Sequence, residues 1–181
     1  MSECDDGPFT PVMHDDPSRD RLPSHAEREE GVQVRYFEDF KVGDRFSGGP
    51  VEVREDEVIA FAKSFDPQPF HVDPIAAKDS LFGTLVTSGW HTAALTMRMI
   101  AESDIRPAGG TIGFHIQELR WPRAVRPGDM LRFEAEVLAA RPSSSRPDSG
   151  IVKMRYRTLN QHGDEVMTYV VVQIVRRQPR D

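Results

Sequence analysis

Apolar residues recur at helical spacing in the first half of the chain and at strand spacing in the second. Val58, Phe61, Ala62 and Phe65 share one side of the segment Glu55 to Phe65, which predicts an amphipathic helix. Glu55, Asp56 and Glu57 lie in its first turn, where the helix dipole favours acids. Asp66-Pro67 ends it, because a residue before proline avoids the helical region. A loop from Asp66 to Asp73 follows, and then a short helix starting at Pro74, a good first helical residue. From about Ser88 to Ala101 the pattern predicts a longer helix. Trp90, Ala93, Ala94, Met97, Ile100 and Ala101 fall on one face, and Leu95 and Met99 widen it, so burial on most sides is expected.

Upstream, Tyr36 to Phe40 and the Val42-Gly43-Asp44 turn lead into a strand from Arg45 to Arg54, interrupted at Gly48-Gly49-Pro50. Downstream, Pro107-Ala108-Gly109-Gly110 breaks the helical pattern and strands take over. Thr111 to Trp121 is one. In Asp129 to Ala140, Leu131, Phe133, Ala135 and Val137 alternate with Arg132, Glu134 and Glu136, the signature of a half-buried strand. Ile151 to Leu159 and Glu165 to Val175 read as a hairpin closed by Asn160 to Asp164. Strand, helices, long helix, four strands: the α+β solution is one antiparallel sheet wrapped around a central helix. Such a sheet has open edges and a small core, and pairing with a second copy would resolve both.

Residues 1–32 do not fit either period. They carry Pro8, Pro11, Pro17 and Pro23 among acids, serines and arginines, and read as a flexible tail ahead of a domain over residues 33–178. A second reading makes this segment an arm packed on a partner subunit through Phe9, Val12 and Met13. The 181-residue chain has a hydrophobic fraction of 38%, which agrees with part of it lying outside a core. A net charge of -6 argues against nucleic acid as a partner, since phosphate contacts need surplus Lys and Arg. Cys4 has no intrachain partner, the start has no basic-then-apolar pattern, and no run is long enough to span a bilayer. A soluble cytoplasmic protein without membrane contact is the expectation.

The chemistry-bearing stretch is Phe65-Asp66-Pro67-Gln68-Pro69-Phe70-His71-Val72-Asp73-Pro74. It holds an acid and an imidazole in a proline-stiffened loop. Read alone it is ordinary. Asp-Pro is a common turn starter, and a histidine between Phe and Val is more often packed than reactive.

Asp66 to Pro74 nonetheless resembles the D-x-x-P-x-H-x-D-P signature of the MaoC-like hydratase family. The resemblance continues through Phe82-Gly83, Thr87-Ser88-Gly89 and Arg126-Pro127-Gly128-Asp129, and covers roughly residues 36–176. It implies the hot-dog fold, an acyl-CoA substrate, no cofactor and no metal. It further implies water addition to a trans-2-enoyl-CoA giving a (R)-3-hydroxyacyl-CoA, or the reverse dehydration. By position, Asp66 and His71 match the family's catalytic acid and histidine. Gly89 matches the glycine whose N–H holds the thioester oxygen. The chemistry itself asks for such parts: a carboxylate and an imidazole gripping one water, and a fixed donor where enolate charge develops. Glycine would admit close approach of the ligand.

Ser88, Trp90, His91 and Met97 are the substrate-binding candidates. Some characterised hydratases of the family carry a serine eight residues past the glycine, where this chain has Met97. Others have a histidine before the glycine, where it has Ser88. Trp90 and His91 imply a differently shaped acyl pocket, although His91 reads equally as a packed helix residue. Arg120, Arg123 and Arg126 suit either CoA phosphates or a solvated turn. His71, His91 and His115 lack a zinc-ligand spacing. Two other activities fit the same fold: a thioesterase whose carboxylate activates water at the carbonyl, and a non-catalytic acyl-CoA-binding module.

Overall fold

The computed structural model describes residues 34–179. The expected tail over residues 1–32 lies outside them. A 3-10 turn at Phe37–Asp39 opens the described region, followed by β1 (Arg45–Glu52), α1 (Glu55–Phe65) and the single-turn α2 (Pro69–Val72). A second 3-10 turn, Ala76–Asp79, precedes α3 (Gly89–Glu102). Then come β2 (Ile112–Arg120), β3 (Met130–Pro142), β4 (Ser149–Leu159) and β5 (Glu165–Arg176). The strands form one antiparallel sheet in the order β1-β3-β4-β5-β2. Helix α3 packs across it, against β1, β3 and β5. This is the hot-dog architecture, a sheet curled around a central helix.

The period-2 reading of β3 holds residue by residue. Leu131, Phe133, Ala135 and Val137 are buried, while Glu134 faces Arg157 and Glu136 faces Arg155 on the outer side. Val152, Met154 and Tyr156 of β4 continue the inner layer, with Met167, Tyr169, Val171 and Val175 of β5. The break expected at Gly48-Gly49-Pro50 is a shift in β1–β3 register between Gly48 and Val51.

Two expectations need correction. The helix expected from Pro74 is instead a turn plus the 3-10 segment Ala76–Asp79. The side chain of Asp73 accepts from the N–H groups of Ile75 and Ala76 and so stabilises a turn rather than a regular helix. The one full helical turn of this region starts earlier, at Pro69, with His71 inside it.

The second correction concerns the buried face of α3. That face carries His91, Thr92, Leu95, Thr96, Met99 and Ile100, while Trp90 and Met97 are exposed at 60% and 48%. Of the expected face, Ile100 is buried and Ala93 packs on the core, while Trp90, Ala94, Met97 and Ala101 point away from this chain's core. The helix is apolar on nearly every side, so counting apolar residues does not orient it. Threonine can be buried because its hydroxyl bonds back one turn. Thr96 Oγ1 donates to the Thr92 carbonyl at 2.8 Å and also meets Thr158 Oγ1 at 2.8 Å.

Candidate functional site

Asp66 closes α1, its N–H bonding the Ala62 carbonyl at 2.9 Å. From there the chain turns sharply. The Gln68 N–H bonds the Asp66 carbonyl at 2.7 Å, and α2 begins at Pro69. That turn brings His71 back toward Asp66, with His71 Nε2 3.5 Å from Asp66 Oδ2. The extended segment before α3 holds the histidine from the other side. Val86 N–H bonds the Phe70 carbonyl at 3.1 Å, and His71 Nδ1 lies 2.7 Å from the Val86 carbonyl.

This last contact sets the tautomer. A carbonyl only accepts, so Nδ1 carries the proton. In the neutral ring Nε2 is then an acceptor, directed at an acceptor carboxylate. Two acceptors this close suit a molecule with two hydrogens to donate, which is what water offers.

The carboxylate is itself held at both oxygens. Gln68 Nε2 donates to Oδ1 at 2.8 Å, and Ser88 Oγ donates to Oδ2 at 2.6 Å. The Ser88 hydroxyl, then the Gln68 amide, keep the Asp66 carboxyl below the usual carboxylate range, and a positive charge on His71 acts in the same direction whenever that ring is protonated.

Ser88 is the N-cap of α3, accepting the Trp90 N–H at 3.2 Å. Gly89 follows as the first helical residue, so its N–H has no intrahelical carbonyl to bond. A reason for glycine here lies within the chain itself. A Cβ at Gly89 would lie 2.9 Å from Trp121 Cε2. The indole occupies that space, donates from Nε1 to the Gly89 carbonyl at 3.0 Å, and meets Trp90 edge-on at 5.3 Å.

The structure thus brings Asp66, His71, Ser88 and Gly89 together. His91 is buried beside them on α3, stacked on Phe61 at 4.7 Å, with Nδ1 2.9 Å from Thr87 Oγ1. Burial pushes its pKa down from the ordinary histidine value. Trp90 and Met97 lie on the exposed side of the helix. Arg123 meets Asp164 at 3.4 Å in an exposed pair, as a solvated turn would. Among the described residues, no three His, Cys, Asp or Glu side chains gather as metal ligands would. None of their helices is long and apolar enough to cross a membrane.

Gln68, Val86 and Trp121 escaped the sequence reading. Gln68 sits two residues from Asp66, so local side-chain pairing could have revealed it. Val86 acts through its backbone, and Trp121 is 32 residues from Gly89, where no local signal reaches.

Comparison with known proteins places this geometry in context. The model of the "MaoC like domain" family matches residues 39–160. A crystal structure of the MaoC-like dehydratase from Rhodospirillum rubrum is 49% identical, with a TM-score of 0.77 over 81% of this chain and 99% of that one. An R-hydratase from Pseudomonas aeruginosa is 28% identical, with a TM-score of 0.68 over 81% and 89%. The 3-hydroxybutyryl-CoA dehydratase of Methylorubrum extorquens is 29% identical over 64% of this chain and 71% of its own length.

Proposed function

The chain belongs to the MaoC-like domain family, and from that premise we propose that it is an acyl-CoA hydratase or dehydratase. It interconverts a trans-2-enoyl-CoA and a (R)-3-hydroxyacyl-CoA, with Asp66 and His71 handling the water. One observation carries this reading. The Val86 carbonyl holds His71 in the tautomer whose Nε2 faces Asp66 Oδ2 at 3.5 Å as an acceptor.

The chemistry follows from that pair. Water donates one hydrogen to the carboxylate and one to the imidazole, which leaves an oxygen lone pair for the β-carbon of the enoyl thioester. As the C–O bond forms, the C=C electrons move toward the thioester and charge builds on its oxygen. The Gly89 N–H, with no intrahelical carbonyl to bond at the start of α3, is placed to hold that charge, and the helix dipole adds to it. One proton of the water passes to the pair while the other stays on the new hydroxyl, and the pair then delivers a proton to the α-carbon. The sum is addition of one water, and dehydration is the same path reversed. His91, Trp90 and Met97 remain candidates for shaping the acyl site.

The active form is read as a homodimer. Among the described residues, strand β2 ends the sheet and exposes Ile112, Phe114 and Ile116. An apolar edge strand of this kind is a pairing surface. The opposite edge, β1, is broken by Gly48-Gly49-Pro50 and suits pairing less.

The test is turnover of enoyl-CoAs of short, long, branched and aromatic acyl groups. Loss of conjugated-thioester absorbance without free thiol supports the reading. Thiol release assigns a thioesterase instead, and tight binding without turnover assigns a binding module.

A further inference from the structure

Ser88 carries a role that its expected place among ligand contacts does not describe. Its side chain is 1% exposed, and its hydroxyl is already used twice. The oxygen accepts the Trp90 N–H, so the hydroxyl hydrogen is left to donate to Asp66 Oδ2. One atom therefore joins two elements distant in sequence: the acid at the end of α1, and the helix start whose next residue is Gly89.

We propose that Ser88 is a positioning residue that locks the Asp66 carboxylate against the start of α3, setting the distance between the water-handling pair and the thioester-oxygen donor. The proposal rests on the hydratase reading above. Its physical content is a constraint on rotation. A carboxylate at a helix end turns freely about its last bond unless both oxygens are held. Gln68 holds Oδ1, but from a position two residues along the same turn, so it moves with Asp66. Ser88 holds Oδ2 from another element, which fixes the carboxylate relative to the rest of the site. Oδ2 is also the oxygen facing His71 Nε2, so the bond from Ser88 uses one acceptor direction on Oδ2 and leaves the other for water.

Ser88 also caps α3, so alanine would mix two losses. Glycine separates them, because it is tolerated at an N-cap but has no hydroxyl. Ser88→Thr keeps the hydroxyl. Among the described residues, His71 is the titratable group acting on Asp66, so it stays in place in every variant.

The experiment is performed on the full chain and has two readouts: NMR titration of the carboxyl carbons in aspartate-labelled protein, and the pH profile of kcat/KM on an enoyl-CoA that the wild type hydrates. Ser88→Gly is expected to raise the Asp66 midpoint, move the acid limb of the profile to higher pH, and lower neutral-pH kcat/KM about tenfold, the scale of one lost hydrogen bond to a charged group. Ser88→Thr is expected to restore all three. An unmoved Asp66 midpoint in Ser88→Gly, or an equal loss of activity at every pH, overturns the proposal. A wild type that turns over no enoyl-CoA overturns the hydratase reading instead. The NMR titration tells the two failures apart, because it needs no substrate.

Discussion

Trp121 lies where the side chain of residue 89 would be. Its Cε2 falls 2.9 Å from an ideal Cβ built on Gly89, and its Nε1 bonds the Gly89 carbonyl. The glycine is thus required by a contact within the chain. Gly89→Ala should displace the indole, break the Nε1 bond and destabilise the fold by about 1–2 kcal/mol, in the range of other overpacked sites. A smaller ring should relieve the clash, so Trp121→Phe in the same chain should recover part of the loss. Urea denaturation of the single and double variants measures this. Additive effects would mean that the two residues do not compete for the space.

Asp66 and His71 face each other as two acceptors. Asp66→Asn puts a donor within reach of Nε2 and removes the negative charge. His71→Ala removes one grip on the water. Each change should lower kcat by about a hundredfold or more, the usual contribution of a positioned acid–base group. Enoyl-CoA absorbance follows the rate, and circular dichroism checks that the fold persists. An unchanged rate in both variants would remove these residues from the mechanism.

His91 is buried against Phe61, and burial keeps its pKa below the ordinary value of 6.5. The sign follows from linkage. Below 6.5 the unfolded chain takes up a proton at His91 that the folded chain refuses, so stability is lost as pH falls. The loss levels off once the folded protein also protonates. His91→Gln should therefore lose less Tm than the wild type between about pH 7 and about pH 5, the range in which histidine charges. Parallel melting curves for the two proteins would expose the idea as wrong.

Thr96 and Thr158 share a hydrogen bond with both residues fully buried. Thr96→Val leaves the Thr158 hydroxyl without that partner and should cost about 1–3 kcal/mol. Adding Thr158→Val removes the orphaned group, and the double variant should be more stable than Thr96→Val alone. A double-mutant cycle in denaturant reads the coupling directly.

Ile116 is 57% exposed on the edge strand β2. If this edge pairs with a second copy, Ile116→Glu places a charge in the seam and should shift the particle from twice the chain mass of 20.5 kDa toward that mass. Light scattering after gel filtration decides it. A wild type already at the single-chain mass would refute the dimer.

The chain read alone established most of the order of elements, the inner face of β3 and the family. These rest on local features: period-2 alternation in Leu131 to Val137, helix-ending Asp66-Pro67, and a motif whose residues are close in the chain. It also named Asp66, His71 and Gly89 as site candidates, because the motif keeps their spacing. The packing of distant segments shows which side of α3 is buried. That helix is apolar on nearly every side, and only its partners Thr158 and Phe61 show that Thr96 and His91 face inward. It likewise decided why residue 89 is glycine, since Trp121 arrives from a distant strand end. The tautomer of His71 was set by the Val86 carbonyl, a backbone group that no side-chain pattern encodes. Contacts between residues far apart in the chain leave no periodic trace, and so the finer geometry of the site became visible only once the sheet had closed around the helix.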